Sequence, residues 1–183
     1  MIHISDKLRA SLVGIFILAA YSMLTYSITK NIPLGFITDI ISGLAVIGIP
    51  ILMFPLFHVA ENKKLNYAYI ISRFIEGFLM IVGGIILWFP SLEGYRDALY
   101  KNIHIVFFLL GALFFYILFH RTRTIPRFVS VWGILATFAL SFVMILNLFG
   151  LDSPLLQVLL LPIILNELFL AFWLIIKGFN GKH

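Results

Sequence analysis

Two residues of opposite charge, Arg73 and Glu76, lie three positions apart inside a long apolar stretch at residues 67–89. On a helix, residues three positions apart occupy the same face, so this guanidinium and this carboxylate can form an ion pair. A helix of about 20 apolar residues crosses the roughly 30 Å hydrocarbon layer of a bilayer, and this stretch is long enough. Ionised side chains at that depth are costly unless they are paired. The spacing therefore predicts a buried ion pair within a membrane-spanning helix.

A second carboxylate, Glu167, lies in another apolar stretch at the same predicted depth as Glu76. Glu76 is about ten residues from the start of its stretch and Glu167 about ten residues from the end of its own. At 1.5 Å per residue, both lie roughly 15 Å from the same side of the membrane. Two acids and one base leave an excess of negative charge, which a proton or a bound cation must neutralise. We predict that Arg73, Glu76 and Glu167 form a proton or cation relay, or the polar end of a substrate cavity. The alternative is a structural clamp in which Arg73 joins the two helices.

Asp39 and His104 are two further candidates, and both lie near the outer ends of their predicted spans. If they face each other, they form the outer mouth of a proton path, since histidine titrates near neutral pH. The predicted position of His104 is about half a membrane away from Glu76 and Glu167, which argues against a zinc site with three or four convergent ligands. The sequence also contains no H-E-x-x-H, G-x-S-x-G, P-loop or dinucleotide-binding pattern. We therefore predict no catalytic residue, no metal site and no cofactor.

The composition predicts that nearly the whole chain lies in a membrane. Of its 183 residues, 62% are hydrophobic and 11% are charged, and the mean hydropathy is +1.08, far outside the usage of soluble domains. The absence of cysteine excludes disulfides, thiolate nucleophiles and cysteine-based metal sites. The net charge of +5 comes from bases in the loops, where they orient the chain rather than bind nucleic acid. Membrane lipids are thus the predicted partners, and the oligomeric state is left open.

The elements that position these residues are six predicted transmembrane helices. The pattern predicts an all-α integral membrane bundle, with a single domain over residues 1–183. Residues 90–102 are predicted to form a short helix on the membrane surface. The start of the chain resembles a signal peptide, but its apolar stretch continues past the place of cleavage, so an uncleaved first helix is expected. The six spans are residues 10–28, 34–59, 67–89, 103–119, 128–149 and 155–176.

Lysine and arginine are unevenly distributed between the two sets of loops. Short loops rich in these residues stay on the cytoplasmic side of a membrane. Of the 13 basic residues, Lys30, Arg96 and Lys101 lie on one side and Arg73 lies within a span. The bias predicts that both termini are cytoplasmic, in agreement with an even number of spans. The bases on the other side are Lys7, Arg9, Lys63, Lys64, Arg121, Arg123, Arg127, Lys177 and Lys182.

Three segments carry a resemblance to a known family: IPRFVSVWGIL at residues 125–135, LPIILNELFLAFWLIIKGFN at residues 161–180, and the R-x-x-E of Arg73 and Glu76. These segments resemble the bacterial membrane-protein family called domain of unknown function 4386. The resemblance extends over nearly the whole chain. The resemblance implies a polytopic protein of the bacterial inner membrane and no particular activity. Asn166 departs from the family pattern, which has a small or apolar residue there, and makes the layer around Glu167 more polar. The resemblance also implies recurring positions at Arg73, Glu76, His104, Pro126, Glu167 and Lys177-Gly178-Phe179.

Three functions fit these patterns. The favoured one is a small transporter or permease-like protein that moves a proton, a cation or a small lipophilic substrate past Glu76 and Glu167. The second is an intramembrane enzyme that modifies a lipid, with the two carboxylates as acid and base. The third is a non-catalytic accessory protein of the membrane, in which the charges only hold helices together. A water-accessible cavity at these residues favours the first two functions, and a dry contact favours the third.

Overall fold

A computed structural model describes residues 5–151, 153, 156 and 158–180, and within them the chain is helical, with short turns and no strand. Among these residues, five helical segments are long and apolar enough to cross a membrane, and a sixth is apolar but shorter. These segments indicate a multi-pass membrane protein. The α-helices whose bounds lie within the described residues are α1 (Asp6–Ala20), α2 (Thr25–Thr29), α3 (Ile32–Phe57), α4 (Lys63–Ile86), α5 (Glu93–Ala98), α6 (Ile105–Thr122), α7 (Arg127–Leu148) and α8 (Leu161–Ile176).

Residues next to the apolar stretches determine where several of these helices begin and end. Ser5 and Asn31 precede α1 and α3, and their side-chain oxygens accept hydrogen bonds from the backbone N–H groups of Leu8 and Leu34. These bonds satisfy donors that have no partner within the first turn of a helix. α6 ends where Arg123 adopts a left-handed conformation with a φ of 53°. The helix ends are therefore local properties of the sequence.

The six long helices form a closed ring in chain order. α1 packs on α3, α3 on α4, α4 on α6, α6 on α7 and α7 on α8, and α8 returns to pack on α1. One end of the ring holds Asn62, Arg121 and Thr124, and the residues after α8 are at this end because the Asn180 N–H donates to the Thr124 carbonyl at 2.8 Å. We call it the basic end. The turns before α3, after α4 and after α7 lie at the opposite end.

Small residues allow α3 and α4 to approach closely. A Cβ atom on Gly43 would lie 2.5 Å from the carbonyl oxygen of Gly77, and a Cβ on Gly77 would lie 2.5 Å from that of Gly43. Nearer the opposite end, a Cβ on Gly84 would lie 2.9 Å from the Cβ of Asp39. Packing of this kind is typical of membrane helices, because the lipid supplies no hydrophobic force that would drive the helices together. It brings the charged residues of α4 to the interior of the ring.

The first, second, third and fifth predicted spans agree with the α-helices to within about four residues at each end. The fourth is wrong at its start, because a continuous helical segment runs over Glu93–Thr122 and includes the predicted surface helix. Its α5 and α6 are joined by a π-helical turn at Leu99–His104. The helix of the sixth span runs over Leu161–Ile176, and Pro162, which lacks an N–H, fits its first turn. Leu156 and Val158 before it are also helical, and Leu159 and Leu160 form a turn between them and α8. Residues 155 and 157 lie outside the described part of the chain.

Candidate functional site

A cavity of about 780 Å³ lies at the centre of the ring and is lined by residues from all six long helices. Its exposed lining residues include Lys101, Asn102 and Asn147, which lie away from the basic end, so the cavity opens at the opposite end. Buried side chains such as Arg73 and Phe115 close it toward the basic end. Most of its wall is apolar, with a few polar groups. Small-molecule sites in proteins have this character and volumes of about 300–1,000 Å³.

Arg73 and Glu76 form the predicted ion pair at this cavity. Arg73 Nη1 donates to Glu76 Oε2 at 2.8 Å, and the two side chains are 6% and 2% exposed. His104 Nε2 lies 3.9 Å from the other carboxylate oxygen, Glu76 Oε1. The prediction that His104 lies half a membrane away from Glu76 is therefore wrong. Its helix begins at Glu93, about ten residues earlier than predicted, which places His104 roughly 16 Å deeper than the start of that helix.

Aromatic rings and one glycine enclose the Arg73 guanidinium. Its Cζ lies 5.9, 5.8 and 5.9 Å from the ring centroids of Tyr69, Phe108 and Phe115. At this distance the face of a ring attracts a cation. Gly111 on α6 leaves space for the side chain, because a Cβ there would lie 2.8 Å from Arg73 Nε. α6 therefore positions a charge that α4 carries, and the sequence did not predict this contact.

Glu167 on α8 lines the same cavity from across the ring. Its Oε2 accepts a hydrogen bond from the Tyr21 hydroxyl at 2.7 Å. Tyr21 begins a 3₁₀ turn, Tyr21–Leu24, which interrupts the first span between α1 and α2. Sequence reasoning missed Tyr21, for which a hydroxyl in the middle of an apolar stretch is the available signal. Arg73 donates to Glu76 on its own helix, and within the described residues no hydrogen bond joins Arg73 to Glu167.

A second buried ion pair involves Asp39, which does not face His104. Asp39 Oδ2 accepts a hydrogen bond from Arg96 Nη2 at 2.7 Å, and the side chains are 0% and 4% exposed. Arg96 Cζ lies 4.9 Å and 4.6 Å from the ring centroids of Tyr26 and Tyr100. The predicted mouth of Asp39 and His104 is therefore wrong, and Arg96 does not lie in a solvated loop. The physical reason is that Arg96 belongs to the helical segment that packs against α3 and α4, where a carboxylate compensates its charge.

Asn166 does not line the cavity, although it precedes Glu167. It is fully buried, and its Nδ2 donates to the carbonyl oxygen of Val129 at 3.0 Å. Since Val129 belongs to α7, this bond joins α7 to α8. It fixes the rotation of α8 and thereby directs the neighbouring Glu167.

Residues 92–178 match the family model described as domain of unknown function (DUF4386). This part of the chain is similar to the DUF4386 family. The match confirms the resemblance seen in the sequence, over just under half of the chain instead of nearly all of it. The DUF4386 segment contains His104 and Glu167, whereas Arg73 and Glu76 precede it. Neither a curated protein nor a solved structure matches the chain.

The family description assigns no activity, so the chemistry must be read from the site that the DUF4386 segment shares with α4. Glu76 and Glu167 each use Oε2 in a hydrogen bond, and their Oε1 atoms have no hydrogen-bond partner among the described residues. These oxygens can accept a proton or coordinate a cation. Within the described residues, histidine, aspartate and glutamate do not gather in the groups of three or more that hold a metal ion. The arrangement is suited to holding one positive charge at the closed part of an apolar cavity.

Proposed function

We propose that the protein is a small carrier of the bacterial inner membrane. In this proposal the central cavity binds a small lipophilic cation, and Glu76 and Glu167 alternately hold that cation and a proton. The observation that carries the proposal is that Arg73, Glu76 and Glu167 all line one cavity of about 780 Å³. Both termini are cytoplasmic in this proposal, so the basic end faces the cytoplasm and the cavity opens on the other side.

The charge of the site supports a cationic substrate. Two carboxylates on opposite walls, Glu76 and Glu167, exceed the single guanidinium of Arg73 by one negative charge when both are ionised. In a medium of low dielectric constant such an excess attracts a proton or a cation strongly. A proton and a substrate cation that compete for one carboxylate cannot both be bound at once. Such competition couples the movement of one to the movement of the other if the carrier changes its open side only with one of them bound.

The cavity wall supports a lipophilic substrate of modest size. Phe108 and Phe115 line it together with aliphatic side chains, and Tyr100 lies nearer its mouth. Aromatic faces attract organic cations, especially when both are removed from water. A small inorganic ion would leave most of this apolar volume without a favourable contact. The wall and the carboxylates together therefore favour an organic cation over a metal ion.

The geometry of the ion pair supports this function over a structural clamp. Arg73 and Glu76 both belong to α4, so their bond does not hold two helices together. The hydrogen bond between Tyr21 and Glu167, in contrast, joins two walls of the cavity. A substrate cation or a proton at Glu167 would compete with or alter that bond. Binding at the site would thereby change how α8 is held against the turn that follows α1.

The experiment is transport in proteoliposomes with an imposed pH gradient and labelled tetraphenylphosphonium as the probe cation. We expect the wild-type protein to accumulate the probe and to dissipate the pH gradient. Glu167→Gln keeps the shape of the side chain but removes its charge, and both signals should fall to the level of protein-free liposomes. Glu61→Gln is the matched control, because Glu61 is exposed near the basic end and does not line the cavity.

Two results would overturn the carrier. One is wild-type protein that moves neither the probe nor protons above the background of empty liposomes. The other is Glu167→Gln protein with undiminished flux. Turnover of extracted bacterial lipid by the wild type, lost in Glu76→Gln and Glu167→Gln, would instead identify the lipid-modifying enzyme that uses the same carboxylates as acid and base.

A further inference from the structure

One face of α4 carries polar side chains from the cavity to the basic end. Asn66, Tyr69, Arg73 and Glu76 recur at intervals of three and four residues, and Asn62 immediately before α4 continues the series. Residues at this spacing share one face of a helix. All five are buried, with exposures of 0% to 5%. From Asn62 to Glu76 the face extends roughly 21 Å along the helix axis.

Asn66 is the least satisfied member of this series. Its side chain is fully buried, and neither its Nδ2 nor its Oδ1 has a hydrogen-bond partner among the described residues. A buried amide without partners costs about 1–3 kcal/mol, so such groups in proteins are nearly always bound to something. Water is the usual partner of buried polar groups that lack one within the protein. Asn66 therefore marks a place in the ring where water is needed.

The polar face of α4 reaches solvent at the basic end. Asn62 Oδ1 accepts a hydrogen bond from Arg121 Nη1 at 3.3 Å, and Arg121 is exposed at the basic end. At its other end the polar face reaches the cavity, which Arg73 and Glu76 line. The remaining three residues of the face do not line the cavity. The polar face thus has solvent at one end and the candidate site at the other.

Aromatic side chains beside this face block a larger molecule. Tyr69 stacks on Phe115 with ring centroids 5.3 Å apart, and Phe57 packs against Phe119 at 5.2 Å. All four residues are at most 4% exposed. A substrate that fits the cavity cannot pass through this cluster as it stands. Water molecules in single file along the polar face of α4 require much less space.

We propose that the polar face of α4, from Asn62 through Asn66 and Tyr69 to Arg73, is a water path that connects Glu76 with the basic end. The inference rests on the proposed function and gives the proton an exit separate from the substrate cavity. A proton leaves the Glu76 carboxyl for a water molecule and is passed along the path, and the resulting carboxylate keeps its bond to Arg73. Glu76 thus exchanges protons with one side of the membrane while the cavity opens to the other.

Water at Asn66 can be measured without any transport assay, because the chain contains no cysteine and each engineered thiol is the only one. Asn66→Cys and Ala112→Cys are reconstituted and treated with a small methanethiosulfonate reagent. Ala112 is the control, since it is equally buried but belongs to the hydrophobic core. Thiols react as thiolates, which form in water and not in apolar surroundings, so the thiol at position 66 should react faster by about tenfold or more.

Equal rates at positions 66 and 112 would overturn the water path and leave the carrier untouched. A second measurement uses Asn66→Leu, which has a similar volume and no polar atom. In this variant proton flux should fall to background, while tetraphenylphosphonium should bind to the cavity with its wild-type Kd. Asn66→Ser, which has a polar side chain, should retain part of the flux. Wild-type proton flux in Asn66→Leu would also overturn the path. If the wild-type protein does not bind tetraphenylphosphonium, the carrier is refuted, while the difference in thiol reactivity between positions 66 and 112 still supports water at Asn66.

Discussion

The ion pair between Asp39 and Arg96 should make a large contribution to the stability of the ring. The substitutions are Asp39→Asn and Arg96→Gln, singly and together. Each single substitution removes one charge and leaves the other buried, because the side chains are 0% and 4% exposed. The double substitution removes both charges and leaves two neutral side chains that can hydrogen bond to each other.

The expected magnitude follows from the geometry of the pair. At the observed 2.7 Å, two unit charges attract by about 6 kcal/mol with an effective dielectric constant of 20. Part of this attraction offsets the desolvation of both groups, and measured losses on breaking a buried pair are about 3–5 kcal/mol. Arg96→Gln also removes the cation from the rings of Tyr26 and Tyr100, for a further loss of about 1 kcal/mol or more. We therefore expect Arg96→Gln to be more destabilising than Asp39→Asn.

The assay is reversible unfolding in mixed micelles with increasing dodecyl sulfate, followed by circular dichroism. A double-mutant cycle isolates the interaction between the two charges from the other effects of each substitution. Asp39→Asn should lower the free energy of unfolding by about 3–5 kcal/mol, and the double variant should lose much less than the sum of the two single losses. Asp6→Asn is the control, since Asp6 pairs with Arg9 but is 72% exposed, and it should show no measurable loss.

A loss of stability for Asp39→Asn no larger than that for Asp6→Asn would contradict a strong buried ion pair. Simple addition of the two single losses in the double variant would contradict the pair as well, because additivity means that the charges do not interact. Either result would imply that water reaches Arg96 and Asp39 and screens them.

Two glycines give further predictions. Gly77→Ala should lower the free energy of unfolding by about 1–3 kcal/mol, because its Cβ would lie 2.5 Å from the backbone oxygen of Gly43 and the helices must separate. Gly94→Ala is the control and should show no loss in the same assay, because nothing lies within 4 Å of a Cβ at that position. Gly111→Ala places a Cβ 2.8 Å from Arg73 Nε, so the guanidinium must shift and the flux in proteoliposomes should fall while the protein remains folded. A stable Gly77→Ala or a fully active Gly111→Ala would contradict these close contacts.

Much of the secondary structure was predictable from the sequence. A run of about 20 apolar residues can satisfy its backbone in lipid only as a helix, so the spans follow from composition along the chain. The pair of Arg73 and Glu76 was equally predictable, since a spacing of three residues is enough to bring the side chains together on one helix. The shared depth of Glu76 and Glu167 followed from counting residues, and both line the cavity.

Contacts between distant segments were not predictable in this way. His104 and Arg96 were misplaced because charges at residues 93–101 were interpreted as a solvated surface, which moved the start of the fourth span by about ten residues and the depth of His104 by roughly 15 Å. The partner of Arg96 is Asp39 on another helix, and only packing shows that the two charges meet. Tyr21 was missed for the same reason, since its partner lies 146 positions away.

Two features could be obtained from the sequence alone: the chain is built from long apolar helices, and Arg73, Glu76 and Glu167 lie within them. Both are properties of single stretches of sequence, because the ability of a helix to cross a membrane depends on its own length and hydrophobicity. Packing between the helices determines that the last helix closes on the first and that the enclosed space is a cavity with carboxylates on opposite walls. That outcome depends on how each helix is rotated about its axis. The rotation is determined by small residues and buried hydrogen bonds between helices, such as Gly43 against Gly77 and Asn166 to Val129, whose partners lie far apart in the chain.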